Sequence, residues 1–200
     1  MHVLVAGATG KTGLRLVREL LTGGHQPVAL VRDDSDTKDL PEGTTLRRGD
    51  LTDLPADVCD GCDAVVFAAG SGGDTDDAMT DKVDRDGAIT LIDRARAAGV
   101  NRFVMLSSVG ADNPDPDGDL AHYLKAKHDA DEHLKASGLS YAIVRPVALT
   151  EDDGRGEIRF GDAVDVSGKA ARGDVATVLA QALTDSDWTG QTRMMESAPT

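Results

Sequence analysis

The segment Val3-Leu-Val-Ala-Gly-Ala-Thr-Gly-Lys-Thr-Gly13 admits two opposed readings. Gly10-Lys11-Thr12 has the ending of a loop that holds nucleoside triphosphates, whose lysine grips the phosphates. Such a loop needs a glycine, four free residues and then Gly-Lys-Ser/Thr. Counting back five from Gly10 reaches Val5, inside the apolar run that opens the chain. The first glycine is missing and a wide loop has no room. The spacing Gly7, Gly10, Gly13 instead suits a dinucleotide-binding turn between a strand and a helix. Gly7 makes the tight turn, Gly10 lets backbone approach a diphosphate, and Gly13 lets helix pack on strand. Thr9, Lys11 and Thr12 fall between these glycines and belong to the same expected phosphate-binding segment.

The pattern around this turn predicts the fold. After Val3–Ala6 the apolar residues Leu14, Val17, Leu20 and Leu21 recur at helical spacing. Strand-like runs follow at Pro27–Val31, Thr45–Gly49, Ala64–Ala69, Arg102–Leu106 and Ser140–Val144, the last stopped by Arg145-Pro146. Between them lie helical stretches from about Thr80 to Ala98 and from about Ala121 to Ser137, closed by Gly99 and Gly138. Continuous Val/Ile/Leu strands alternating with helices imply an α/β doubly wound parallel sheet covered on both faces. Beyond Pro146 the pattern loosens into a turn at Glu151–Gly154, a short strand at Glu157–Phe160 and a helix over Asp174–Leu183. Residues 1–200 read as one domain, with 147–200 adding a small C-terminal cap on the substrate side.

Composition narrows the setting. Only 3% of residues are aromatic, so the core must rest on Val, Leu, Ile and Ala. A net charge of −14 excludes the basic face that nucleic acid demands. The chain holds 29 Asp and 6 Glu against 14 Arg and only 7 Lys. This bias suits a halophilic surface, because the Debye length shrinks to about 3 Å at 1 M salt and self-repulsion then costs little. An acidic surface with no such adaptation is the plainer reading. No long apolar run suggests a membrane span, and Met1 leads almost directly into a strand, so a cytoplasmic protein is expected. Cys59 and Cys62 have CxxC spacing, but one pair supplies half a zinc site, and packing residues are the better expectation. The five histidines form no ligand pattern with acids, so no metal is expected.

Arg32 stands at the end of the second strand, 25 residues beyond Gly7. An acidic side chain there would accept bonds from a ribose 2′-hydroxyl; a guanidinium pairs with a 2′-phosphate instead. NADP is therefore favoured over NAD, with Asp33 and Asp34 working against that preference. In the second half, Tyr123 and Lys127 lie one helical turn apart and share a face. A phenol, with ordinary pKa near 10, serves as a proton donor when a neighbouring ammonium stabilises its anion. Ser107-Ser108 at a strand end could polarise a substrate carbonyl. The plainer alternative is a tyrosine that merely packs at a helix start.

With those residues in hand, the sequence resembles the short-chain dehydrogenase/reductase superfamily, in its atypical branch of small NAD(P)-binding Rossmann proteins, which includes biliverdin reductase B (flavin reductase) and NmrA-like proteins. The resemblance covers nearly the whole chain, through GATGKTG, LVR, GDLTD, DAVVFAAG, FVMLSSVGA, YLKAK and GLSYAIVRP. It implies that Asp50 and Leu51 border the adenine and that Ala68, Ala69 and Gly70 pass the diphosphate and ribose. It further implies Ser108, Tyr123 and Lys127 as the catalytic serine, tyrosine and lysine, with Pro146 and Val147 near the nicotinamide. Where larger relatives carry an asparagine, this chain has Asp84, which would alter the proton relay. The implied activity is hydride transfer between NADP(H) and a small carbonyl, quinone or flavin-type substrate, by a monomer or small homo-oligomer. A non-catalytic NADP(H) sensor and an NAD(P)-dependent epimerase or dehydratase are the alternatives. Only 54 residues follow Pro146, too few for the large substrate domain of nucleotide-sugar epimerases.

Overall fold

The structure is a computed structural model that describes residues 1–72, 76–115 and 117–198. Its centre is an eight-stranded sheet in the order β3-β2-β1-β4-β5-β6-β10-β8. These strands are β1 His2–Ala6, β2 Gln26–Val31, β3 Thr45–Arg48, β4 Ala64–Phe67, β5 Arg102–Leu106, β6 Tyr141–Pro146, β8 Ile158–Phe160 and β10 Gln191–Ser197. All neighbours pair in parallel except β10 with β8 at one edge. A parallel sheet needs cover on both faces, and β1 shows how the sequence provides it. Val3 and Val5 join the core under α1 (Lys11–Thr22) and α5 (Arg172–Thr184). Leu4 and Ala6, turned the other way by the pleat, join the core under α3 (Ala88–Ala97) and α4 (Ala121–Ala136). Among the described residues, no helix is long and apolar enough to cross a membrane.

The chain departs from the sequence pattern in three places. The helix expected over 80–98 is divided into α2 (Asp77–Thr80), a π-helical stretch Asp81–Gly87 and α3. The π stretch carries Asp84 wholly buried against Lys127, and such widened turns commonly mark functional sites. The sixth strand does not stop before Arg145-Pro146; both lie within β6, because Arg145 finds a buried partner in Asp131. The third departure is β10, which the pattern did not announce, since QTRMMES alternates like no buried parallel strand. Two further short strands, β7 (Ala148–Thr150) and β9 (Lys169–Ala171), form a separate parallel pair beside the main sheet.

Candidate functional site

The strand order reverses between β1 and β4, and a doubly wound sheet offers its ligand crevice at that point. Gly7 takes φ +83° at the end of β1, and a Cβ there would lie 2.7 Å from backbone atoms of Ala68 and Ala69. A Cβ on Gly13 would lie 1.9 Å from the Gly7 carbonyl oxygen. No side chain fits either position. Gly10 is the N-cap of α1 and offers no side-chain cap, while the first turn carries no acid. The first amides of α1 are thus left for an external anion, with the helix dipole behind them. This cradle fits the diphosphate of a dinucleotide.

Two hollows meet at this cradle and share Gly10, Ala68, Ala69, Gly70 and Ser71. The smaller, about 420 Å³, is bordered by Gly7, Thr9, Leu30, Arg32, Asp50 and Leu51. Thr52 donates its backbone N–H and its hydroxyl to Asp50, which holds that carboxyl below its ordinary pKa and ready to accept further bonds. Arg32 is exposed, and its Nε lies 3.3 Å from Asp34. The larger hollow, about 630 Å³, continues past Lys11 and Thr12 to Ser107, His122, Tyr123, Lys127, Leu149 and Arg172. A still larger one, about 700 Å³, lies near the cap; its buried acids Asp174 and Glu196 are engaged by Gly156, Ser197, Arg159 and Asp165. The glycine cradle, rather than size, decides which hollow receives the cofactor.

Tyr123 and Lys127 border the same hollow, as one turn of α4 requires. The Lys127 ammonium sits 2.9 Å from Asp84, 5.7 Å from the Tyr123 ring centre and 5.6 Å from that of Phe67. Burial works against this charge, but Tyr123, Asp84 and Asp131 outweigh it and the Lys127 pKa stands raised. A raised lysine pKa means that its contribution to stability is intact at every pH below about 10.5 and is lost only as pH climbs through the higher folded-state value. Asp84 is behind the wall rather than in it, and its other oxygen accepts the Ser71 N–H at 2.9 Å.

Several expected residues stand elsewhere. Ser108 does not border the hollow; its hydroxyl donates to the Val109 carbonyl at 3.2 Å. Successive residues at a strand end point opposite ways, and Ser107, whose N–H continues the ladder to Val144, is the serine in the wall. Pro146 and Val147 are buried in the sheet and core and do not border the larger hollow, whereas Leu149 does. Gly13 packs under the turn rather than lining it. His122 reaches the mouth, with Nε2 3.0 Å from Asp81. Cys59 and Cys62 are buried, and burial pushes the Cys59 thiol up to about 12, as suits packing residues.

Sequence reasoning missed a buried cluster under the wall. Ser107 donates to Asp131 at 2.8 Å, and Arg145 donates to the same oxygen through Nε at 3.1 Å and Nη2 at 2.9 Å. Burial raises the Asp131 pKa, against the pull of Arg145 and Ser107. Asp131→Asn would keep an acceptor but remove the buried negative charge, leaving Asp112 at 3.5 Å as the anion beside the guanidinium among the described residues. A charged hydrogen bond contributes about 1.5–3 kcal/mol, so thermal melting should fall by roughly 3–12 °C.

A glycine cradle at the switch point, opening into a hollow with tyrosine and buried lysine, defines a dinucleotide-binding protein of the Rossmann class. Residues 7–186 match the NAD(P)H-binding family, and the chain belongs to it. It is 38% identical over 187 residues to the uncharacterized sugar epimerase YhfK of Bacillus subtilis, covering 90% of this chain and 87% of that one. A solved Bacillus halodurans protein, assigned to the NAD-dependent epimerases/dehydratases, is 37% identical with a TM-score of 0.93, covering 100% of this chain and 95% of that one. The oxidoreductase ylbE of Lactococcus lactis is 31% identical with a TM-score of 0.87, over 100% and 92%.

Proposed function

We propose that the protein is an NADP(H)-dependent oxidoreductase that reduces a small, flat carbonyl, quinone or flavin-type compound in the cytoplasm. The observation that carries this reading is the shared hollow: Tyr123 and Lys127, the latter paired from behind by buried Asp84, border the cavity that begins at the glycine cradle. The dinucleotide, when bound, supplies the hydride. Tyr123 donates the proton to the substrate oxygen, and Lys127 keeps a positive charge near its ring. Ser107 rather than Ser108 is the serine that borders the hollow, with its hydroxyl proton donated to Asp131 beneath the wall. Leu120 and Leu149 border the same hollow while 60% and 38% exposed, which favours an apolar ring at the mouth. Consumption of NADPH with a panel of carbonyls, quinones and flavins, measured in molar KCl to suit a halophilic surface, tests it. No turnover with any compound would replace it with the sensor reading, which the turned-away Ser108 hydroxyl favours.

The NADP preference rests on Arg32 at the adenosine end. Arg32→Ala should weaken NADPH binding about ten-fold or more, the range of one charged hydrogen bond, and leave NADH binding nearly unchanged. Equal losses for the two dinucleotides, read by calorimetry, would remove Arg32 from the 2′-phosphate.

A further inference from the structure

The rim of the cradle carries three charged side chains that belong to different ends of the chain. Lys11 opens α1; Glu151 follows β7; Arg172 begins α5. The Glu151 carboxylate lies 2.9 Å from the Lys11 ammonium and 3.2 Å from Arg172 Nε. Arg172 Nη1 also donates to the Thr12 hydroxyl at 2.9 Å, reaching back 160 residues to the first turn of α1. Arg172 borders the larger hollow beside Gly10, Lys11 and Thr12, whereas Glu151 does not. A guanidinium is thus anchored at the uncapped helix start, inside the hollow, with an internal carboxylate as its counter-charge.

We infer that Arg172 is a ligand of the cofactor diphosphate delivered from beyond the core sheet, and that Glu151 is a tethered counter-anion which the diphosphate displaces. The inference rests on the dinucleotide occupying the glycine cradle. Three observations carry it. Planar guanidinium donors match phosphate oxygens, and Arg172 is oriented by Thr12 toward the place where those oxygens must lie. Glu151 neutralises both cations of the rim at once, as an anionic ligand would. Its carboxylate is more than half exposed, so exchange needs only rotation of a surface side chain. A neighbouring contact separates exchange from simple strapping: Arg15 donates to the Glu151 carbonyl at 2.6 Å and to Asp153 at 2.9 Å, tying the same loop to α1 without touching Arg172.

The test is calorimetric binding of NADPH and of ADP-ribose, which share the diphosphate, to the full chain at fixed KCl. Wild type must bind NADPH; no heat there overturns the cradle itself and is distinct from every outcome below. Glu151→Gln should tighten both probes about 3–10-fold by removing the competing anion. Arg172→Gln should weaken both about ten-fold or more, Arg172→Lys should recover part of the loss, and Glu151→Gln should then confer no gain. Asp153→Asn, which loosens the loop only, should stay within about two-fold of wild type. Weaker or unchanged binding in Glu151→Gln, or tightening in Asp153→Asn equal to it, overturns the exchange. Loss of NADPH affinity in Arg172→Gln without loss of ADP-ribose affinity overturns the diphosphate assignment. Circular dichroism melts of each variant confirm that folded protein is compared.

Discussion

Tyr123→Phe should lower kcat for carbonyl reduction by about 10²–10⁴-fold, the usual worth of a positioned general acid, while NADPH affinity and thermal stability stay near wild type. The asymmetry follows from where the ring stands. Tyr123 is half-buried in the wall of the larger hollow, and phenylalanine keeps the ring that packs near Lys127. Only the hydroxyl is lost, and with it the proton. The raised Lys127 pKa adds a constraint on the pH profile. Because that ammonium keeps its charge through the neutral and mildly alkaline range, any limb of the rate profile between about pH 6 and 10 belongs to another group. Steady-state kinetics on the variant decide the matter. Turnover within about three-fold of wild type would show that Tyr123 gives no proton, and a flavin-type reduction, which can dispense with a protein acid, would gain.

The parts of this site differ in how far the sequence announces them, and the reason is distance along the chain. The glycine cradle is legible because a strand, a turn and a helix start within eleven residues, and backbone crowding there admits nothing larger than hydrogen. Tyr123 and Lys127 are legible because helical periodicity alone puts them together. The strands buried on both faces announce themselves as apolar runs. By contrast β10 is hidden by its polar residues. Glu196 is buried only because Arg159 and the Asp165 amide meet it, and Arg193 lies over the Trp188 ring at 4.7 Å. Asp131 reads as one more acid on a helix rich in charges of both signs until the buried Arg145 comes against it. Ser107 and Ser108 are equal in the sequence; only the pleat of β5 decides which one borders the hollow. Arg172 is beyond reach of local reasoning altogether, since its partner Thr12 comes from the opposite end of the chain.

Asp84→Asn should cost about 3–5 kcal/mol of stability, because it leaves the Lys127 ammonium buried without the carboxylate paired to it. For a chain of this size that loss lowers the melting temperature by roughly 6–20 °C. Asp84 is fully buried and Lys127 is 3% exposed, so water cannot replace the missing partner as it does for surface pairs such as Lys125–Asp129. Asparagine keeps the shape and can still accept the Ser71 N–H, which confines the effect to charge. Lys127→Met should cost a similar amount by stranding the carboxylate. The double variant Asp84→Asn with Lys127→Met removes both charges, and should lose clearly less than the two single losses added together. Chemical denaturation of the four proteins at pH 7 measures that coupling. A coupling near zero would mean that the 2.9 Å pair is solvated in solution, and the positive charge assigned to the floor of the hollow would have no buried origin.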